Sequence, residues 1–245
     1  MLVHGWGFGA VVWQPLVAEL SASFSLYLIS LPGYGDAGEV HSDDWNLPAL
    51  LAEFGRQIQM PALWCGWSLG GMLTTAYAAA AQERVTGVVT IGAAPLFVAG
   101  HDWPDAMPEP VFNRFAALAQ DDHQQALNRF AGLVTQGAIS ARQDLRELKQ
   151  LLSTQAPPER EPLLAGLELL RQLDLRETWS GLFQPSLQLF GEADALVPAT
   201  VATPLSRLNP RGKVELITGA SHIPWLSNPQ GVAERIRCFA AEAGF

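Results

Sequence analysis

Residues 62–81 read ALWCGWSLGGMLTTAYAAAA, and this stretch decides the fold. Ala62–Gly66 is a short apolar run that suits a buried strand. Leu69–Ala81 is rich in small residues and suits a helix lying close on a sheet. Between them stands Gly66-Trp67-Ser68-Leu69-Gly70, with the spacing G-x-S-x-G. A strand that turns this sharply into a helix tolerates little bulk, so glycines at 66 and 70 leave Ser68 projecting with its Oγ exposed. The helix start offers free N–H groups and positive potential beneath it. An ordinary tight turn with a solvent-facing serine is the plain alternative, and the strand–turn–helix context disfavours it.

Outward from this stretch the pattern repeats. Phe24–Ser30 reads as a strand, broken by Leu31-Pro32-Gly33-Tyr34-Gly35. Leu47–Gln59 suits a helix with Leu47, Leu50, Leu51 and Phe54 on one face. Val85–Ile91 is a strand apolar on both faces. Strands of this kind alternating with helices indicate a parallel sheet covered on both sides. From 111 to 173 the periodicity is helical only, with candidates at Val111–Ala119, His123–Thr135, Ala141–Ser153 and Leu163–Leu173. Strand-type runs return at Ser186–Phe190 and Val214–Ile217, and Gln230–Ala241 suits a last helix. The expected layout is an α/β core, residues 1–110 and 174–245, interrupted by a four-helix cap over 111–173.

A serine hydroxyl is a weak nucleophile and needs a base, and the base needs an orienting acid. Asp194 follows the strand Ser186–Phe190, and His222 follows the strand Val214–Ile217. Both fall at the C-terminal edge of the sheet, where open α/β folds place their sites. Ser68, Asp194 and His222 are therefore the candidate catalytic set, with Glu192 as the rival acid. His4 precedes a glycine loop and is expected to prop it by hydrogen bonds. His41, His101 and His123 are expected at the surface, and Asp174 is expected to cap or turn. The oxyanion formed in acyl transfer needs two N–H donors. The residue after the serine supplies one, Leu69, and His4-Gly5-Trp6-Gly7 nominates the backbone N–H of Trp6 for the other.

Composition narrows the class. The chain has 245 residues, 49% hydrophobic and 16% charged, long enough to bury a core without disulfides or metal. Its net charge of −9 disfavours nucleic-acid binding. Cys65 and Cys238 form no metal-ligand cluster, and no signal-like or membrane-spanning apolar stretch is seen, so a cytoplasmic monomer without metal or organic cofactor is expected. The charge is uneven: residues 1–110 carry two basic and ten acidic side chains, whereas residues 111–176 carry eight of each.

These motifs resemble the α/β-hydrolase superfamily and, within it, the pimeloyl-acyl-carrier-protein methyl ester esterases of biotin synthesis. The residues that carry the resemblance are His4–Gly7, Leu31–Gly35, Gly66–Gly71, Ser140-Ala141-Arg142-Gln143-Asp144 and the segments around Asp194 and His222. The resemblance implies an α/β-hydrolase fold and a Ser68–Asp194–His222 triad, with Asp194 rather than Glu192 as the acid. It implies that Phe130, Ala131, Gly132, Leu133 and Val134 contact the acyl chain, Val134 standing where the family has glutamine. It implies an acidic carrier protein bearing the ester as partner, held by Arg129, Arg142 and Arg146, with Gln125 where a fourth arginine is expected. Arg142, Arg146 and Lys149 share one helix face, which extends this stripe. The family also has an N-terminal hairpin and a full strand before the His-Gly-Trp-Gly loop. Here only Met1-Leu2-Val3 precede it, so either a late start or loss of the hairpin is expected. Trp67, Trp103 and Trp225 are candidates for the pocket wall or for plain core packing. The expected activity is a serine carboxylesterase acting on the carrier-linked methyl ester. The other readings are a broad short-chain esterase and a non-catalytic module using the same pocket.

Overall fold

The computed structural model describes residues 1–35 and 45–244; His41 lies outside the described residues. Six parallel strands form one sheet in the order β2-β1-β3-β4-β5-β6. They are β1 (Leu2–Val3), β2 (Leu28–Ile29), β3 (Ala62–Trp67), β4 (Val85–Ile91), β5 (Ser186–Gly191) and β6 (Lys213–Ile217). The chain runs from β1 outward to β2, then returns to the other side of β1 for β3. The order therefore reverses between β1 and β3, the kind of switch point at which open α/β sheets place their sites. The segments that follow β1 and β3 are His4–Gly7 and Ser68.

The helices around the sheet are α1 (Gln14–Leu20), α2 (Leu47–Gln57) and α3 (Leu69–Ala80). Every residue of α3 from Leu69 to Ala78 is buried. That explains its composition: alanine, glycine and threonine let the helix axis lie close to β3 and β4. Between β4 and β5 come α4 (Glu109–Asp121), α5 (His123–Thr135), α6 (Ala141–Leu152), α7 (Arg160–Gln172) and the short α8 (Arg176–Ser180). The interval 109–172 contributes no strand to the sheet. Its two connections to the sheet are tied together: the Arg176 guanidinium bonds both Asp102 and Asp174, and Leu175 N–H donates to Pro95 O. Asp174 also accepts from Arg176 N–H, forming the expected turn. The chain closes with α9 (Ala202–Leu208), α10 (Pro224–Ser227) and α11 (Pro229–Glu242).

Two differences from the sequence reading have local causes. The expected strand Phe24–Ser30 shrinks to Leu28–Ile29, because its ladder extends only as far as β1, through Leu2↔Leu28 and Val3↔Ile29. Helices α4 and α7 begin two and three residues earlier than the apolar period suggests. Pro110 and Pro162 occupy their first turns, where the missing N–H has no intrahelical partner to lose.

Candidate active site

Ser68 is the one non-glycine residue with positive φ among the described residues, at φ 54° and ψ −122°. Such a conformation costs of order 1–3 kcal/mol and persists only where its surroundings enforce it. The glycines around it show how. A Cβ on Gly66 would collide with the backbone of Gly70, and a Cβ on Gly70 with Val3 O and His4 O. One on Gly71 would fall 2.6 Å from Ala93 Cβ, and one on Gly5 3.1 Å from Ser68 Cβ. Strand β3, helix α3 and the His4–Gly7 loop thus meet backbone to backbone around Ser68.

The His4–Gly7 loop is held from within. Buried His4 donates from Nδ1 to Gly5 O at 2.8 Å, and its Nε2 accepts from Leu31 N–H at 3.0 Å. An imidazole that both donates and accepts is neutral. Burial, the larger cause, outweighs the Gly5 hydrogen bond and lowers its pKa to about 4. Gly7 N–H donates to the buried Tyr34 hydroxyl. Trp6 is fastened at its other end, its Nε1 donating to Leu163 O of α7 at 2.7 Å.

At the next two strand ends, His222 Nδ1 lies 2.7 Å from Asp194 Oδ2, and both side chains are fully buried. Asp194 Oδ1 accepts from Leu196 N–H at 2.8 Å and Val197 N–H at 2.9 Å. An ionised carboxylate only accepts, so His222 carries its proton on Nδ1 and leaves a lone pair on Nε2. That Nε2 is buried without a hydrogen-bond partner among the described residues. Glu192, the rival acid, instead accepts from Gly219 N–H in an exposed position. His222 O accepts from Trp67 Nε1 at 2.8 Å, linking the histidine loop to the strand that carries Ser68.

Sequence reasoning missed two glycines that make room here. Gly92 ends β4 at φ +56°, and a Cβ on it would fall 2.9 Å from the His222 ring and 3.4 Å from Asp194 Oδ2. Gly166 lies in the middle of α7, where a Cβ would meet Trp6 Cδ1 at 2.8 Å. A glycine inside a helix costs roughly 1 kcal/mol relative to alanine, and that cost was the available signal.

Above the site, Trp6 and Leu196 form part of an apolar cavity with Phe97, Phe112, Phe130 and Leu133. It measures about 40 Å³, room for roughly three waters. Of the candidate acyl contacts, Phe130 and Leu133 line it. Ala131 and Val134 are buried in the packing of the helices, and Gly132 opens instead on a surface recess between Arg129 and Arg142. Trp67, Trp103 and Trp225 do not line the cavity. Trp67 stacks on Phe8 and packs against Trp225 behind His222, as core residues. Arg129, Arg142, Arg146 and Lys149 are exposed on α5 and α6, as is Gln125. His101 is exposed and His123 half-buried. Among the described residues no cluster of three or more His, Cys, Asp or Glu side chains is placed to hold a metal, and no helix is long and apolar enough to cross a membrane.

Comparison with known proteins places the chain in a family. The model of the alpha/beta hydrolase family matches residues 1–235. The pimeloyl-[acyl-carrier protein] methyl ester esterase of Edwardsiella ictaluri is 42% identical over 234 residues, covering 94% of this chain and 88% of that protein. The protein of the same name from Klebsiella pneumoniae is 38% identical, covering 100% of this chain and 94% of its own. The chain belongs to the pimeloyl-[acyl-carrier protein] methyl ester esterase family of alpha/beta hydrolases. Solved structures agree on the fold. An Exiguobacterium antarcticum esterase superposes with TM-score 0.86 at 16% identity, over 98% of this chain and 90% of its own. A Bacillus anthracis bromoperoxidase superposes with TM-score 0.87 at 18% identity, again over 98% and 90%. At that identity they speak to architecture alone. In this chain Ser68 sits on a strained turn and His222 on the Asp194 carboxylate, at strand ends of one sheet.

Proposed function

We propose that this chain is a serine esterase that hydrolyses the methyl ester of a pimeloyl group carried on acyl carrier protein. The observation that carries the chemistry is the buried Asp194–His222 pair, whose free Nε2 lone pair belongs to the same sheet edge as the strained Ser68. His222 Nε2 takes the Ser68 hydroxyl proton as Oγ attacks the ester carbonyl. Asp194 holds the imidazole in the tautomer that leaves Nε2 free and stabilises the imidazolium that forms. The backbone N–H groups of Trp6 and Leu69 receive the oxyanion; Leu69 is the first residue of α3, so its N–H has no intrahelical acceptor. The imidazolium returns its proton to the departing methoxy oxygen, and methanol leaves. Water then attacks the acyl-serine, with His222 again as base. This releases the free carboxylate and restores Ser68. No metal or organic cofactor takes part.

Substrate choice rests on the relatives and on the cap, residues 111–173. The acyl chain enters the apolar cavity beside Trp6 and Leu196 by displacing Phe130 and Leu133, since about 40 Å³ is too little for it. The carrier, an acidic protein, is met by Arg129, Arg142, Arg146 and Lys149, a local positive field on a chain of net charge −9. The enzyme acts as a cytoplasmic monomer.

The test compares methanol release from carrier-linked methyl pimelate and from free methyl esters. The wild type should favour the carrier-linked ester in kcat/KM, and an R142E/R146E double variant should lose roughly tenfold or more on that substrate alone. Equal turnover of both substrates by the wild type would leave a broad short-chain esterase.

A further inference from the structure

The connection between α5 and α6, residues 136–140, crosses the loops that carry the acid and the base. A Cβ on Gly137, at φ +94°, would collide with Ala193 O, next to Asp194. Ile139 N–H donates to Gly219 O at 3.4 Å, three residues before His222. A Cβ on Gly219 would lie 3.2 Å from Ile139 Cδ1. The Ile139 backbone is thus fastened over the histidine loop, yet its side chain is 95% exposed. It is the most exposed large apolar residue among those described. Tyr27, Met60 and Phe183, also exposed, lie just before β2, β3 and β5 and so at the opposite edge of the sheet. Val111, 43% exposed, borders the inner apolar cavity, and Ile139 is the one of these fastened to the histidine loop.

Its surroundings define what it faces. Among the described residues, Arg129, Arg142, Arg146 and Lys149 have no acceptor, whereas Arg160, Arg171, Arg176, Arg235 and Arg237 each hold one. Arg129 and Arg142 flank one recess floored by Gly132, Leu133 and Leu145, and Leu133 also lines the inner apolar cavity. Leu133 thus borders both the basic recess and the space above Trp6. Ile139 stands two residues before α6, the helix that carries Arg142, Arg146 and Lys149, and the recess flanked by Arg129 and Arg142 reaches Gln136 and Ala141 on either side of it in the chain. An exposed isoleucine next to unpaired cations matches an acidic protein with an apolar spot among its carboxylates.

The geometry points to Ile139 as the apolar anchor of the carrier-docking surface: the carrier seats on Ile139 between Arg129, Arg142 and Arg146, and its acyl arm enters over Leu133. This rests on the carrier-linked substrate proposed above. Packing one exposed isoleucine at the centre of a charged contact supplies affinity that the arginines, still hydrated at the rim, do not.

The experiment measures KM and kcat for carrier-linked and free methyl esters with Ile139→Glu, Ile139→Leu and R142E/R146E. An exposed side chain can be changed without unfolding the chain, which circular dichroism verifies. Ile139→Glu should raise KM for the carrier-linked ester roughly tenfold, leave its kcat and the free-ester kinetics unchanged, and be rescued by Ile139→Leu. If R142E/R146E raises that KM and Ile139→Glu does not, the anchor is overturned while the carrier reading stands. If the wild type shows no preference for the carrier-linked ester, the carrier reading itself falls. If Ile139→Glu instead splits a dimer seen by light scattering and leaves carrier kinetics intact, the surface joins two copies of this chain and the anchor is overturned.

Discussion

The sheet edge that carries Ser68, Asp194 and His222 and the helical segment above it are built on different physics. At the sheet edge, position is set by backbone contact and hydrogen bonds. Gly66, Gly70 and Gly92 each leave a space that one methyl group would fill, and Asp194 spends both oxygens on fixed partners. In the helices α4–α7, position is set by apolar side chains such as Phe112, Phe130, Leu163 and Leu167, and the cations of α5 and α6 carry no acceptor among the described residues. The first region admits one arrangement. The second is held by apolar side-chain contacts, which on the reading proposed above shift to admit a chain longer than the cavity. Chemistry is sensitive to fractions of an ångström, and recognition of a long acyl arm on a protein carrier requires give.

That contrast can be broken most severely at the nucleophile. Ser68→Ala should lower kcat roughly 10⁶-fold while the fold persists, measured as methanol release against thermal unfolding. Asp194→Asn should lower kcat by about 10⁴, because an amide can donate to Nδ1 and so favours the tautomer with Nε2 protonated. A pH-independent deficit of a few fold would remove Asp194 from its role. Gly92→Ala sharpens the comparison, since it changes no functional group. Its Cβ would press on the His222 ring and its φ of +56° would become strained; kcat should fall on the order of 10²-fold, with the unfolding temperature lowered. The same change at Gly132, inside α5, where a Cβ would meet nothing within 4 Å, should leave kcat within about twofold and raise the unfolding temperature, since alanine is favoured over glycine in a helix interior by roughly 1 kcal/mol.

A further effect concerns stability rather than rate. His4 is neutral and buried, with its pKa lowered from 6.5 to about 4. The unfolded chain therefore binds more protons between those values, so stability is fully present above pH 6.5 and falls as pH drops toward 4. The loss should be on the order of 3 kcal/mol, seen as a falling urea midpoint. His4→Asn should flatten that part of the profile.

What could be read from the chain differs between the same two regions. The turn at Ser68 was legible because its requirement is local: a strand, a strained residue and a helix within ten positions, with glycines where no Cβ fits. His4 was legible as a prop for the same reason. The choice between Asp194 and Glu192 was not local, because two carboxylates two residues apart differ only in which one the distant His222 loop approaches. Gly92 and Gly166 were silent for the same reason, since the atoms they make room for lie far along the chain. The strand at Phe24–Ser30 was over-read because a strand extends only where its neighbour offers backbone partners. The tryptophans showed their size but not their side: Trp67 and Trp225 pack behind the histidine, and Trp6 faces the cavity.

Sequence alone determined the α/β class, the order of the elements, the Ser68 turn and the basic stripe on α6, because each follows from neighbours along the chain. Tertiary structure decided which carboxylate meets His222, which of residues 130–134 reach the cavity, and that Ile139 stands exposed over the histidine loop. Those outcomes depend on how strands and helices far apart in sequence are brought together, and no local pattern carries that information.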